Sequence, residues 1–374
     1  MPATSHPFTI GVEEEYQIID PTTRELKPRS VRLVPQVRLQ IGDQVQNELF
    51  QAEIEIGTRI CPTLADVRAE IIRLRRAVIE VAEKDGDRIA ATATHPFSHW
   101  AKQPLTPKVR YFNIAKNYQQ LTREQIICGC HVHVGLSDRE APIHIMNRAR
   151  GWLSVLLALS ANSPFWLGQD TGYASYRTEI WRRWPMAGSP HMFNSRAEYD
   201  ELVQALIATG SIADETKIYW DMRPADRFGT VEFRVADVCL TVDEAVMVAG
   251  LVRALARTCL EAVQRDLETA DHSFVPVRPE LLRAAEWRAA RYGLDADLID
   301  VHAGRAVVAR DMVGKLLSFV RPALEAMGEW DEVSTLVCNT LKRGNGAARQ
   351  RAVYQRTGRL KDVVDFIVQE TGRG

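Results

Sequence analysis

Four places in this 374-residue chain put reactive side chains two residues apart: Glu13 with Glu15, Glu53 with Glu55, His131 with His133, and Glu232 with Arg234. In an extended strand, residues i and i+2 project from the same face, roughly 6.5–7 Å apart. Carboxylate oxygens joined by one or two imidazoles are the donors that Mg²⁺ or Mn²⁺ takes. Arginines among them serve the anionic oxygens that such metals also touch, as in phosphoryl transfer. Each pair has a plainer reading. A Glu-x-Glu is commonly a solvated strand face, a His-x-His a hydrogen-bonded pair, and a Glu-x-Arg a cross-strand ion pair. Four such pairs in one chain, each backed by apolar residues, are better explained by a shared metal-dependent site.

The elements that must position them follow from period-two alternation. Residues 8–19 set Ile10, Val12, Tyr16 and Ile18 against Glu13, Glu15 and Gln17. Residues 49–58, 126–136, 217–223 and 230–237 alternate in the same way, with Tyr219, Asp221 and Arg223 on the polar side of the fourth. If these strands share one antiparallel sheet, its polar face becomes a floor of acids, histidines and arginines. Helices are predicted between and after them. Thr63-x-x-Asp66 is a capping pattern opening a helix to about residue 83, and Pro142 starts another to about 161. Thr241-x-x-Glu244 opens a long helix to about 267, and five more follow near 280–291, 305–327, 332–342, 346–356 and 359–369. The expected fold class is therefore α+β: a strand-rich core over about 8–240 and a helical layer over about 241–374, in a single domain spanning 1–374. Residues 162–195, rich in Pro, Gly, Trp and Arg, read as a large loop with the length of a lid.

Composition narrows the class. With 47 basic and 48 acidic residues the net charge is −1, which argues against nucleic acid or an anionic membrane as the main partner. Six cysteines without a Cys-x-x-Cys pair read as reduced thiols of a cytoplasmic protein. The stretch 152–167 is too short and too polar to span a bilayer, and the first thirty residues hold no apolar signal core. There is no P-loop, no Gly-x-Gly-x-x-Gly turn, no nucleophile elbow and no Cys/His protease signature. A bound nucleotide would have to be held through metals and basic side chains.

At this point the segments FTIGVEEEYQI (8–18), ELFQAEIEIGT (48–58), ATATHPF (91–97), CGCHVHVG (128–135), LSANSPFW (159–166), YWDMRP (219–224), FGTVEFRVAD (228–237) and RYGLDA (291–296) can be taken together. In combination the chain resembles the bacterial carboxylate–amine ligases, or type 2 glutamate–cysteine ligases, of the glutamine synthetase superfamily. The resemblance implies an antiparallel sheet whose inner face holds Mg²⁺ or Mn²⁺ bridging the phosphates of ATP. It assigns metals to Glu13, Glu15, Glu55, His131 and Glu232, and the nucleotide side to His133. Arg234 and Arg223 are assigned to the phosphates and, with Glu55, to catalysis. It implies an ATP-dependent ligase that activates glutamate as an acyl phosphate, joins it to cysteine or another amine, and releases ADP and phosphate. A homodimer is expected on the same ground. In that setting Arg177 and Arg182 are candidates for the α-carboxylate of the amino acid, and His95 for the acceptor side. Arg349 or Arg351 could close over the phosphates, although a solvated helix face explains that basic cluster more simply.

Two other readings share part of the pattern. A metal-dependent amidohydrolase also uses His-x-His on a strand, but there the motif opens the barrel and further histidines follow. A binding protein on a ligase scaffold would be expected to have lost metal ligands, and all five are present here.

Overall fold

Four of the five alternating segments become strands of one sheet, and the fifth, 217–223, reaches it only at its end. The computed structural model describes residues 8–269 and 274–373. Seven strands form the main sheet: β1 (Ile10–Ile19), β2 (Val45–Asn47), β3 (Glu53–Gly57), β4 (Arg88–Ala90), β5 (Gly129–Gly135), β6 (Met222–Ala225) and β7 (Thr230–Asp237). Their order is β6-β7-β5-β1-β3-β2, with β4 paired to the end of β1, and every pairing is antiparallel. The register is what makes a site. Glu15 lies opposite Glu55, Glu13 opposite His131, His133 opposite Glu232, and Glu232 opposite Arg223. The side-chain period of two then sends all of these to one face.

The other face is apolar and carries the core. Val12, Val132, Val134, Val231 and Phe233 pack on helices Leu64–Lys84, Ala141–Ala149 and Val242–Thr269. Tyr16, Ile18, Ile54 and Ile56 pack on Ser30–Ile41 and again on Leu64–Lys84. Thr63 caps the latter helix: its side chain accepts from the Asp66 N–H, and Asp66 accepts from the Thr63 N–H. Thr241 and Glu244 exchange the same two bonds at the start of Val242–Thr269. Helices Ala309–Ala326 and Trp330–Arg343 lie over that long helix, while Gly346–Thr357 and Leu360–Thr371 close a further apolar cluster beside β4. The α+β expectation, with an antiparallel sheet and a helical C-terminal part, holds.

Several expected elements differ in detail. The helix over 142–161 is two, Ala141–Ala149 and Leu153–Ser160, joined by a 3₁₀ turn in which Arg150 is buried. The strand over 217–223 is broken at Asp221: Tyr219–Trp220 pairs with Ala187–Gly188, and only Met222–Ala225 joins the main sheet. Residues 305–307 are a strand paired with Leu298–Asp300, so the next helix starts at Ala309. The stretch 162–195 is no open loop. It holds the helix Tyr176–Trp181, and buried Asp237 ties it down by accepting from the Asn162 N–H (2.8 Å), Ser163 Oγ (2.7 Å) and Ser175 Oγ (2.8 Å).

Candidate active site

The polar face of the sheet floors a cleft of about 380 Å³. Its walls come from the Tyr176–Trp181 helix, from helices Val109–Tyr118 and Arg196–Ala208, and from the hairpin joining β6 to β7. Glu13, Glu15, Glu55, His131, His133, Arg177, Arg223, Glu232 and Arg234 all line it.

At its centre, ligand atoms of Glu13, His133 and Glu232 lie within 4.8 Å of one another. His133 Nδ1 bonds Thr230 Oγ1 at 2.9 Å, which turns Nε2 toward Glu13 (3.6 Å) and Glu232 (3.9 Å). That buried Nε2 has no hydrogen-bond partner. A buried nitrogen left open between two carboxylates fits a divalent cation, because each donor supplies what a metal would take. His131 Nδ1 stands 3.3 Å from Glu13 and 3.9 Å from Glu232. The convergent trio thus includes His133 rather than His131, although both rings reach the same two acids. Burial works against charge on Glu13, but a hydrogen bond from His131 and the positive charge of both His133 and His131 hold its carboxyl well below the usual range. Burial likewise opposes Glu232, yet Arg234, Arg223 and the two imidazoles keep it ionised far below that range. For His133, burial disfavours the proton, but Glu13 and Glu232 outweigh it and raise the pKa.

A second acidic group sits beside the first. Glu15 faces Glu55 across the β1–β3 pair, and Glu48 and Glu53 line the same end of the cleft. Burial raises Glu15, Glu48, Glu53 and Glu55, and for Glu55 the neighbouring acids Glu13, Glu48 and Glu15 push further. Glu15 accepts from the Gly129 N–H at 2.6 Å and Glu55 from Gln46 at 3.0 Å. No Lys or Arg lies within ion-pair distance of any of these four acids among the described residues. Like charges facing each other on a sheet destabilise it unless protons or cations intervene. Protons meet that need in the metal-free protein, as the raised pKa values of all four acids show. Among the described residues the donor atoms that converge tightly enough for a cation are those of Glu13, His133 and Glu232.

Two guanidinium groups flank Glu232. Arg223 Nε bonds it at 2.6 Å while its NH1 donates to the Ile218 carbonyl at 2.7 Å, and Arg234 bonds its other oxygen. Arg177 is buried against the carbonyls of Arg234 (3.3 Å) and Val235 (3.5 Å). The Nε atoms of Arg234 and Arg177 are buried without partners. Gly129 makes room for this cluster, since a Cβ there would stand 2.4 Å from Arg177 and 3.1 Å from His131. Trp181, Trp184, Tyr219 and Phe228 add aromatic surface, with Phe228 edge-on to His133.

Four expected site residues lie elsewhere. His95 is buried with Nε2 on the Arg24 carbonyl (2.9 Å) and Nδ1 accepting from Phe97 and Ser98, and burial pulls its pKa down to about 3. Arg182 points away from the cleft to Glu286 at 2.5 Å. Arg349 is taken up by Glu244 and Glu370, and Arg351 by Asp170, so neither reaches the cleft. The sequence reading also passed over Glu48, Gln46, Arg110 and Tyr111, which line the cleft from outside any alternating strand run.

Residues 9–366 match the glutamate–cysteine ligase family 2 (GCS2). A Frankia alni protein provisionally named glutamate–cysteine ligase 2-2 is 43% identical over 383 residues, covering 97% of both chains. One from Herpetosiphon aurantiacus, provisionally named glutamate–cysteine ligase 2, is 42% identical over 98% of this chain and 94% of its own. Among solved structures, glutamate–cysteine ligase of Francisella tularensis, in complex with AMP, superposes with a TM-score of 0.71 at 12% identity, over 99% of this chain and 90% of that one. A bifunctional glutathione synthetase from Pasteurella multocida gives 0.67 at 16% identity, over 98% of this chain and 52% of that one. The two structures show the shared fold; by its sequence, matched nearly end to end, the chain belongs to glutamate–cysteine ligase family 2.

Proposed function

We propose that the protein is an ATP-dependent ligase that joins the carboxylate of an amino acid, glutamate foremost, to an amine, with Mg²⁺ or Mn²⁺ in the acidic floor. The observation that carries this is the convergence of Glu13, His133 and Glu232 beside Arg223 and Arg234 in one cleft. Family membership and the likeness to a ligase solved with AMP support it.

A carboxylate does not acylate an amine directly in water, because its leaving group would be oxide or hydroxide. Attack of the carboxylate oxygen on the γ-phosphorus of ATP forms the acyl–phosphate C–O–P bridge and releases ADP. The amine nitrogen then bonds to the acyl carbon, its proton leaves, and inorganic phosphate departs with the former carboxylate oxygen. Bound cations would supply charge neutralisation where two anions must meet. Arg223 and Arg234, anchored by Glu232, would face the transferring phosphoryl group, where fixed donors act without reorganisation. Arg177 would orient the amino-acid carboxylate over Gly129. Trp181, Trp184 and Tyr219 would keep water from the activated acyl group. Cysteine is one acceptor to test among other amines, and a homodimer is the assembly to test.

The hydrolase reading finds less in the geometry. His131 and His133 are the histidines that line the cleft among the described residues, and acids and arginines make up most of the remaining charge. The experiment incubates protein with ATP, Mg²⁺ and glutamate, with and without an amine panel that includes cysteine, following ADP and identifying products by mass. Amine-dependent ADP release with a condensed product supports the ligase. ADP release that no carboxylate–amine pair raises above background removes it, and zinc-supported hydrolysis without ATP would put the hydrolase in its place.

A further inference from the structure

Glu14 stands between the two acids of β1 and points the opposite way, into the helical side of the sheet, fully buried. Arg75, from the Leu64–Lys84 helix and 2% exposed, meets it with two bonds, Nε to Oε2 at 2.9 Å and NH2 to Oε1 at 2.5 Å. Tyr16 donates its hydroxyl to the same carboxylate at 2.6 Å. Arg75 also donates to the carbonyls of Cys239 (2.9 Å) and Leu240 (3.2 Å). One guanidinium therefore joins the strand of Glu13 and Glu15 to the chain leaving the strand of Glu232 and Arg234. Those carbonyls also lie two and three residues beyond Asp237, the anchor of the segment that carries Arg177.

The neighbouring positions on this face of the sheet are apolar: Val12, Ile18, Ile54, Ile56, Val132 and Phe233 are all buried. A buried ion pair adds little or nothing to stability over well-packed apolar side chains of similar volume. Its directional bonds do fix where two strands sit. Metal ligands must be held within fractions of an ångström, and groups that orient ligands from behind contribute to affinity without touching the ion.

We infer that Glu14 and Arg75 are a positioning pair that sets the spacing between the acids of β1 and the Glu232–Arg234 strand, and with it the affinity for the divalent cation. This rests on the metal-site reading above. Calorimetric titration of Mn²⁺ into wild-type protein and the Glu14→Leu/Arg75→Met double variant tests it, alongside circular dichroism and thermal melting in metal-free buffer. The double variant, which keeps side-chain bulk and removes both charges, is expected to fold and melt close to wild type. It should bind Mn²⁺ at least about tenfold more weakly, the scale on which such supporting groups act. Glu14→Gln, which keeps the shape of the carboxylate, is expected to fall between the two and carries the same test if the double variant does not fold. A folded variant that binds Mn²⁺ as wild type does overturns the positioning role. Wild-type protein that binds no Mn²⁺ overturns the metal site itself, and the inference with it.

Discussion

Gly129 is the residue whose replacement most simply separates fold from chemistry. An added Cβ would meet the far end of Arg177, a side chain that can move, so Gly129→Ala should fold. Moving Arg177 and crowding His131 should cost about 10²-fold in kcat/KM, the scale of a misplaced positioning group; steady-state kinetics beside a melting curve would check it. Arg223→Lys replaces a planar fork with a point charge where Arg223 bridges Glu232 and the Ile218 carbonyl. A loss of about 10²–10³-fold in kcat is expected if this guanidinium stabilises developing charge, and unchanged turnover would exclude that role. At this scale the strand-borne residues were legible, because i, i+2 spacing places Glu13, Glu15, Glu55, His131, His133 and Glu232 on one face whatever the rest of the fold does. Glu48 and Arg110 were not, since they reach the cleft from irregular or helical segments whose approach depends on packing. His95 illustrates the converse: a histidine in a Thr-His-Pro turn is saturated by local backbone bonds.

The acidic strands predict a pH response. Glu15, Glu48, Glu53 and Glu55 have folded pKa values raised above the ordinary carboxylate range. The metal-free fold thus holds protons that the unfolded chain has released, and their contribution to stability fades as pH rises from that range through the raised values. Melting temperature in chelator should therefore fall from mildly acidic to mildly alkaline buffer, and the stabilisation gained from Mg²⁺ should grow over the same interval. A Mg²⁺ increment that shrinks with pH would contradict it. Among helices, Val109–Tyr118 gave no usable pattern because it buries only Tyr111 and Ile114, and Ser30–Ile41 was hidden by Pro35 inside it. The capped helices after Thr63 and Thr241 were readable because local side-chain bonds, not tertiary contacts, start them. The 162–195 stretch was misread for the opposite reason. Its order comes from Asp237, more than forty residues away, and Asp237→Asn should expose the segment to limited proteolysis near residues 163–175 while lowering activity.

Across the whole molecule, one sheet separates two environments: an apolar side under helices and a charged side open to the cleft. No helix among the described residues is long and apolar enough to cross a membrane. Fold class and the identity of the charged side were readable in advance, because alternation is local. The way the hairpin of β6 and β7 and the Tyr176–Trp181 helix close the cleft was not, because it depends on contacts between distant segments. Activation of a carboxylate by phosphoryl transfer on this charged side would leave a trace in the phosphate released. The most direct measurement supplies glutamate labelled with ¹⁸O in its carboxylates, together with ATP, Mg²⁺ and an amine that supports turnover, and weighs the inorganic phosphate released. An acyl phosphate requires one labelled oxygen to appear in each phosphate formed; phosphate carrying no label, with ADP released at the same rate, would contradict the account.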